Sequence, residues 1–322
     1  NEFDNGEEYN KTLGGKVDYF NTNTVNWGGL SAQAEYTKDN LTLYGMLGYS
    51  MVKYGYTDEF RRESAGSEDA FNSKSDWIGG LQIKGGASYN FTETFNAFVN
   101  AGYVSKVPIF DNVINDWNGV VNEDPETEKF IALEGGIQFT PTSNVFDVKL
   151  NGYYTTWTDR AKTLGVVDAQ GNDDLVTLTG MDQRHIGVEL EAAYQPAEFV
   201  RIDLSASTGN WIYTDDVNGL YYDYDENGQL EQKEYNYYVK DLKVGDAPQT
   251  QFAASLTLYP IKDFRAQLTG RYYTNYYSAW DPFSRTDPED TEQVWEIPSF
   301  TVFDLHLNYK LPIDLNGMSM NV

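Results

Sequence analysis

Apolar and polar residues alternate with a period of two along much of the chain. Val200, Ile202 and Leu204 share one face of such a stretch, and Arg201 and Asp203 share the other. Because a β-strand points successive side chains to opposite faces, this pattern predicts strands with one apolar and one polar face. The same alternation marks eleven segments, which are 29–37, 41–53, 81–91, 95–104, 131–139, 145–157, 186–194, 200–212, 252–258, 264–274 and 301–311.

The connections between these segments alternate in length. The short turns lie at 37–40, 91–94, 141–144, 196–199, 260–263 and 312–317. The long loops lie at about 55–76, 107–128, 160–184, 214–248 and 275–298. Most of the strands are about 10–14 residues long, against a usual length of about 5–6. Transmembrane barrels combine long alternating strands with short periplasmic turns and long extracellular loops, so the sequence predicts an all-β fold, a transmembrane antiparallel β-barrel.

Aromatic residues on the apolar phase fit the same interpretation, because such barrels carry aromatic girdles at both membrane interfaces. The predicted girdle at the turn end consists of Tyr36, Tyr89, Phe91, Phe139, Tyr194 and Tyr309. The predicted girdle at the loop end includes Tyr49, Tyr103 and Tyr154.

The net charge of −26 excludes nucleic acid as a partner, because nucleic-acid binding depends on Lys and Arg that neutralise phosphates. The five long loops hold 31 of the 49 acidic residues and only 10 of the 23 basic residues. Two interpretations of this asymmetry stay open, which are solubility of the loops and attraction of cations toward the mouth of the barrel. The absence of cysteine excludes thiol catalysis, disulfides and cysteine-ligated zinc.

Several of these segments are similar to a known family. The stretches "GVELEAAYQPAEFVRIDLSAS" (187–207), "VGDAPQTQFAASLTLYPIKDFRAQLTGRYYTNYY" (244–277) and "IPSFTVFDLHLNYKL" (297–311) resemble the C-terminal barrel of TonB-dependent outer-membrane receptors. Two upstream stretches, 18–50 and 99–130, look like the same barrel. The resemblance covers nearly the whole chain and rests on the order and spacing of these stretches.

The resemblance implies a barrel of 22 strands with a plugged lumen. About 12 strands can be counted here, the last beginning at "GMSMNV" (317–322), so residues 1–322 would form a partial barrel domain, the C-terminal half. The plug domain, the energy-coupling segment and the end of the last strand are expected elsewhere in a longer protein. The lack of a signal peptide and of an initiator Met leads to the same expectation.

The function that the resemblance implies is active import of a scarce nutrient, such as an iron chelate, cobalamin, a glycan or a peptide, across the outer membrane of a Gram-negative bacterium. The implied partners are outer-membrane lipid, the protein's own plug domain, a TonB-type energy-coupling protein and the substrate. A surface lipoprotein stays open as a further partner. The alternatives are a passive porin-like channel, a structural barrel subunit of a larger complex and, ranked last, a barrel enzyme.

No catalytic set is predicted, because neither His185 nor His306 has a nucleophile nearby in the sequence. No cofactor is predicted to be required. By strand parity, the residues expected to face the lumen near the loop end, where a ligand would bind, are Trp157, Trp211, Tyr213, Arg271, Tyr273 and Asn275. Aromatic faces suit sugars, porphyrins or catechol rings, and Arg271 suits an anionic group. The alternative for all six is packing against the plug or neighbouring loops.

The stretch "DYDENGQLEQKE" (223–234) fits the ligand spacing of a calcium loop. Its candidate ligands are Asp223, Asp225, Asn227, Gln229, Glu231 and Glu234. Strand-like tyrosine runs flank it, however, and Asn-Gly favours a tight hairpin turn. Two interpretations follow: a plain hairpin tip, and a structural Ca²⁺ site that orders loop 214–248.

Overall fold

The computed structural model describes residues 2–4, 7–9, 12–16, 20–63, 69–116, 118–143, 145–167, 173–224 and 230–310. Within these residues the fold is almost entirely antiparallel β-structure. The strands, in chain order, are β1 (Glu2–Asp4), β2 (Glu7–Tyr9), β3 (Asn21–Lys38), β4 (Leu41–Arg62), β5 (Ala70–Lys74), β6 (Ile78–Asn90), β7 (Phe95–Lys106), β8 (Glu128–Phe139), β9 (Phe146–Thr158), β10 (Lys162–Val167), β11 (Asp173–Thr179), β12 (Gln183–Ala197), β13 (Val200–Tyr213), β14 (Val217–Tyr224), β15 (Leu230–Tyr237), β16 (Pro248–Leu258), β17 (Phe264–Tyr277), β18 (Glu296–Ile297) and β19 (Phe300–Tyr309). A single-turn helix, α1 (Phe110–Val113), and a 3₁₀ turn at Pro282–Ser284 lie in the long loops.

Eleven long strands form the main wall. Their order across the sheet is β3-β4-β6-β7-β8-β9-β12-β13-β16-β17-β19, and each pairs antiparallel with its sequence neighbour in this series. The short strands β5 and β18 extend the wall on β4 and β17. This meander confirms the eleven strands predicted from the alternation. The predicted twelfth strand lies outside the described residues. Within the described chain, β3 and β19 do not pair with each other, so the sheet is open.

Strand alternation gives the wall two different faces. One face carries apolar side chains that are exposed in this chain, and Leu30 is 86% exposed and Leu305 64%. The face continues across the wall through Leu47, Ile83, Val99, Leu133, Leu150, Val188, Leu204, Leu256 and Leu268. The opposite face is polar, with Asn100, Glu134, Asn151 and Glu189 linked by hydrogen bonds across four strands. We call these the apolar face and the lumen face. An exposed apolar area of this extent marks a surface that contacts lipid or another protein.

The short turns lie at one end of the wall, which we call the turn end. Asp39 and Asp263 adopt positive φ angles of 51° and 63° in two of these turns, a conformation that Asp tolerates better than most residues. Five of the six predicted girdle aromatics at this end are exposed, which are Tyr36, Tyr89, Phe91, Phe139 and Tyr194. Tyr89 and Phe91 contact each other with ring centroids 4.9 Å apart.

The long connections lie at the other end, the loop end, and they contain more strand than the sequence predicts. The segments 160–184 and 214–248 were expected to be loops, and that expectation is wrong in part. They hold β10, β11, β14 and β15, which pair in that order as a separate four-stranded sheet, here called the loop sheet. Pairing between two segments that are distant in sequence cannot be read from local alternation.

The loop sheet has a hydrophobic core of its own, to which segment 275–298 adds Trp280 and Val294. Its other buried members are Val176, Leu178, Met181, Tyr213, Val217, Tyr237, Val239 and Leu242. Three of the long loops therefore form one packed unit above the wall. Among the described residues, no helix is long and apolar enough to cross a membrane.

Candidate ligand-binding site

A cavity of about 290 Å³ lies at the loop end of the wall, on the lumen face, where the wall meets the loop sheet. The wall contributes Trp157, Gln183, His185, Trp211 and Tyr213. The loops contribute Arg160, Lys162, Leu164, Leu178, Met181, Val244, Gly245, Asp246, Ala247, Ala279, Trp280 and Pro282. Ligand pockets are typically about 300–1,000 Å³ and mostly apolar with a few polar groups, and the volume of this cavity lies just below that range.

Trp157 stands at the loop end of β9, and its indole is held on two sides. Its Nε1 donates a hydrogen bond to Glu128 Oε2 at 3.1 Å, and the same carboxylate atom accepts one from Lys106 Nζ at 3.3 Å. The ring of Phe130 packs against it with centroids 4.7 Å apart. Since Glu128 is buried and paired, the indole has a fixed orientation at the cavity wall.

Trp211 is fixed through both its indole and its backbone. The indole Nε1 donates to the Tyr153 hydroxyl at 2.9 Å, and the ring of His185 packs on it at 5.4 Å. The buried amide of Gln249 accepts from the Trp211 N–H at 3.0 Å and donates to the Trp211 carbonyl at 2.9 Å. It also donates to the Val244 carbonyl at 3.1 Å, which joins the wall to the loop segment that closes the cavity.

The remaining aromatic walls come from Tyr213 and Trp280, which lie edge to face with centroids 6.3 Å apart. Loop segment 275–298 packs closely against the loop residue Gly245 beside these two rings. A Cβ at Gly245 would lie 2.4 Å from the backbone of Ser278, so only glycine permits this contact between the two loops. The cavity is therefore shaped by packing between loops as much as by the strands.

The cavity also holds charged and polar groups. The Arg160 guanidinium lies 4.3 Å above the Trp157 ring, a cation–π contact, and Lys162 lines the cavity nearby. Asp246 contributes one acidic side chain. Next to the cavity, burial raises the pKa of Asp182, and the negative charges of Asp159 and Asp215 raise it further.

The structure brings together three of the six residues predicted from parity, Trp157, Trp211 and Tyr213. Arg271 lies on the lumen face away from the cavity and pairs with Asp304. Tyr273 packs against Phe300 with centroids 5.1 Å apart. Asn275 has a left-handed φ of 51° and donates to the Thr250 hydroxyl at 3.0 Å. A ligand role for these three residues stays a prediction.

Two cavity residues could have been found from the sequence. Gln183 and His185 share the lumen phase of β12 and stand in register with Tyr213 and Trp211 on β13. The same parity that selects Trp211 selects them. Arg160, Lys162 and Trp280 could not have been found this way, because loop packing alone places them.

The stretch 223–234 is flanked by strands instead of the helices of an EF-hand. β14 and β15 pair antiparallel, with Asp223 opposite Glu231 and Leu220 opposite Glu234, so the flanks form two paired strands while the predicted turn at 225–229 lies outside the described residues. Three of the candidate ligands, Asp225, Asn227 and Gln229, lie outside the described residues, so calcium binding stays a prediction. Within the described residues, no three His, Cys, Asp or Glu side chains cluster as metal ligands would.

Comparison with solved structures supports a barrel wall. The chain is similar to the copper transporter OprC, with 16% identity, a TM-score of 0.60, and coverage of 89% of this chain and 40% of that one. It is similar to the siderophore receptor PiuA from Acinetobacter baumannii, with 11% identity, a TM-score of 0.60 and coverage of 91% and 38%. It is also similar to the FrpB iron transporter from Neisseria meningitidis, with 16% identity, a TM-score of 0.57 and coverage of 91% and 39%.

At these identities the likeness shows the fold, and the chain spans about two-fifths of the length of these proteins. No curated protein sequence matches the chain. A family sequence model, described as "TonB dependent receptor-like, beta-barrel", matches residues 1–322, which confirms the family expected from the sequence. The chain belongs to the TonB-dependent receptor-like β-barrel family.

Proposed function

We propose that the complete protein is an active importer in the outer membrane of a Gram-negative bacterium, and that this chain forms about half of its barrel wall. The observation that carries the proposal is the position of the aromatic cavity. It opens on the lumen face at the loop end of the wall, where a ligand arriving from outside would first meet the barrel.

The apolar face supports a place in the membrane. It forms a continuous band across all eleven wall strands, whereas the lumen face is polar. In a bilayer an open sheet edge leaves backbone groups without partners, at several kcal/mol each. Further strands of the same protein are therefore proposed to pair with the edges at β3 and β19 and to close a barrel.

The family supplies the proposed partners, which are the protein's own plug domain, a TonB-type energy-coupling protein and the imported molecule. A surface lipoprotein covering the loops is a further candidate. The similar structures are named as copper, siderophore and iron proteins. We propose a scarce nutrient of this general kind as the substrate, such as an iron chelate, cobalamin, a glycan or a peptide, and assign no catalytic step to the chain.

Conductance of the full-length protein in a planar bilayer tests the importer against a passive porin. A plugged importer is expected to give no steady ion current until the plug is displaced, for example by urea, and to regain closure when the urea is removed. A stable open current without denaturant would reject the importer and favour the porin.

The hairpin formed by β14 and β15 is also proposed to bind a structural Ca²⁺. The spacing of its acidic and amide side chains and the acidic composition of segment 214–248 support this. Calorimetry of the intact protein should show calcium binding that the double variant Asp223→Ala, Asp225→Ala loses. The paired variant Asp215→Ala, Asp216→Ala removes the same charge outside the motif and should retain binding. If the unmodified protein binds no calcium, the calcium site is rejected and the plain hairpin is the remaining interpretation.

A further inference from the structure

We propose that the loop end of the apolar face binds the phosphate of lipid headgroups in the outer leaflet of the membrane. Five basic residues form the binding surface, here called the outer cation row, and they are Lys53, Lys74, Lys129, Arg184 and Lys243. The proposal rests on the proposed function, because it assigns a lipid partner to the face that the importer would turn toward the bilayer.

In three wall strands the apolar face ends in a cation at the loop end. The apolar face covers alternate residues of 41–51 on β4, 131–139 on β8 and 186–194 on β12. The next residues on that face, toward the loop end, are Lys53, Lys129 and Arg184. Because a transmembrane β-strand needs about 9–11 residues, these cations lie where the apolar layer of a bilayer ends and its headgroups begin.

Lys74 joins Lys53 on the same face of the sheet. It stands on β5 opposite Gly55, which is two residues beyond Lys53 on β4. A Cβ at Gly55 would lie 3.7 Å from Lys74 Cγ, so the Lys74 side chain lies along the apolar face. Diagonal neighbours on paired strands are about 7–8 Å apart, and two flexible lysines at that separation can contact one phosphate group.

Arg184 and Lys243 form a second pair, with Ile212 between them. Ile212 on β13 stands opposite Arg184 on β12, and on its other side it forms an isolated bridge with Lys243. Lys243 Nζ donates a hydrogen bond to Asn210 Oδ1 at 2.6 Å, and Asn210 shares the face of Ile212. Since neighbouring strands lie about 4.7–4.9 Å apart, two cations flank an apolar residue across about 10 Å of this face.

Four members of the outer cation row have no acidic partner within the described part of the chain. Lys129 pairs with Asp159, whereas Lys53, Lys74, Arg184 and Lys243 form no ion pair there. Acidic residues are nevertheless abundant at this end, because the long loops hold 31 acidic and only 10 basic residues. Such loops would be repelled by an anionic membrane surface, and unpaired cations at the boundary would offset that repulsion.

The side chains beside Lys53 also suit a lipid headgroup. Tyr49 is 50% exposed on the apolar face, and Trp77, which is 52% exposed, directly precedes β6 with the parity of that face. Tryptophan and tyrosine are enriched at the level of the headgroups. On β3, Asn26 stands opposite Lys53, and Thr24 lies two residues farther on the same face. Both are exposed, so their amide and hydroxyl groups can donate hydrogen bonds to phosphate oxygens.

Binding of dioleoylphosphatidic acid to the purified full-length protein in detergent micelles, measured by native mass spectrometry, tests the proposal. Dioleoylglycerol has the same acyl chains without the phosphate, and inorganic phosphate has the anion without the chains. We expect dioleoylphosphatidic acid to bind at least about tenfold more tightly than dioleoylglycerol, since each Lys or Arg near an anionic lipid surface contributes about fivefold. Inorganic phosphate at the same concentration should not displace the bound lipid.

Three fourfold variants locate the binding surface. The first removes the unpaired cations of the row and should weaken dioleoylphosphatidic acid at least about tenfold; it combines Lys53→Gln, Lys74→Gln, Arg184→Gln and Lys243→Gln. The second keeps the charge at these positions and should retain binding; it combines Lys53→Arg, Lys74→Arg, Arg184→Lys and Lys243→Arg. The matched control removes three lysines and one arginine that are exposed at the turn end, and it should also retain binding; it combines Lys38→Gln, Lys262→Gln, Arg265→Gln and Lys310→Gln.

Equal binding of dioleoylglycerol, or displacement of the lipid by inorganic phosphate, would overturn the proposal. So would lipid binding that survives the first variant, or that is lost equally in the charge-preserving variant or in the turn-end control. These outcomes are independent of transport: a plugged, energy-coupled importer could fail this lipid-binding test, and a passive channel could pass it.

Discussion

At the level of single residues, the loop end of the wall depends on a few buried polar groups. Gln249 is 2% exposed and uses its amide to bind the backbone of Trp211 on β13 and of Val244 in the adjoining loop. One side chain therefore fixes both a cavity wall and the segment beside it. Neither the burial of Gln249 nor its partners could be predicted from the sequence, because Gln251 stands on the same strand in the same phase and is exposed.

Replacement of Gln249 tests this role. Gln249→Met keeps the volume but leaves the Trp211 N–H and the Val244 carbonyl without their side-chain partner, and each buried group left unpaired costs about 1–3 kcal/mol. We expect amide hydrogen exchange in 209–213 and 243–247 to accelerate. Gln251→Met is the control and should leave exchange unchanged. Equal exchange in both variants would show that the amide does not hold the loop.

The shifted pKa of Asp182 makes the stability of the loop end depend on pH. Burial raises its pKa above the ordinary value of 3.8, and Asp159 and Asp215 add to the rise. The folded protein therefore holds this proton more tightly than the unfolded chain does. Stability from Asp182 is fully present below pH 3.8 and is lost as the pH rises through the raised pKa.

The variant Asp182→Asn isolates this effect, because its side-chain oxygen can still accept the hydrogen bond from the Asp159 N–H, at 2.8 Å in the unmodified protein. We expect the Asp182→Asn substitution to slow amide exchange of the loop end at pH 7 and to have no effect near pH 3. A variant that is destabilised at pH 7 would contradict the assigned direction of the pKa shift.

At the level of elements, the wall strands could be predicted from the sequence, whereas the structure of the long loops could not. All eleven wall strands follow from alternation, because each must present one face to an apolar phase and one to a polar lumen. The alternation predicts that β4 ends at residue 53, whereas in the structure the strand continues to Arg62. In this extension of β4, Tyr54 and Tyr56 point to the same side as the lumen face and are buried against Val113 and Ile114. The side of the strand that is polar in the wall is therefore apolar in the extension.

The loop sheet depends on pairing between strands that are far apart in the sequence, which the local alternation of residues does not predict. β11 and β14 pair through Val176–Thr179 and Asn218–Tyr221, and the interval between them contains two whole wall strands. Because β12 and β13 form a hairpin, they return the chain to the loop end and bring the two loops side by side. The cavity depends on this pairing, since Leu178 and Met181 line it from the loop sheet.

Leu178 gives a direct test of the loop sheet as a packed unit. The side chain is 1% exposed, and Leu→Ala at buried sites costs about 2–5 kcal/mol. Leu178→Ala should accelerate amide exchange throughout β10, β11, β14 and β15 while the wall strands stay protected. Leu190→Ala, on the apolar face of β12, should leave exchange in the loop sheet unchanged. Acceleration confined to β11 would show that the four strands do not act together.

At the level of the whole molecule, the wall separates two environments along every strand. Leu204 belongs to the apolar face, and the next residue, Ser205, belongs to the lumen face. This alternation of apolar and polar residues could be predicted from the sequence because each wall strand repeats it. How a barrel would close cannot be read from these strands, since among the described residues β3 pairs only with β4 and β19 only with β17.

This pair of neighbours tests the orientation of the wall. A lysine facing lipid near the middle of a bilayer costs about 2–4 kcal/mol, whereas one facing the lumen is solvated. In the full-length protein in lipid vesicles, Leu204→Lys should therefore lower the free energy of unfolding by about that amount. Ser205→Lys should change it by much less. The reverse order would place lipid on the opposite face.

Uptake by intact cells tests most directly the proposal that the protein is an energy-coupled importer. Cells producing the full-length protein would be given labelled iron chelates, cobalamin, glycans and peptides, with the TonB-type energy-coupling protein present or deleted. We expect cells to accumulate at least one of these substrates and to lose that accumulation when the energy-coupling protein is deleted. Uptake that continues at the same rate without that protein would contradict it.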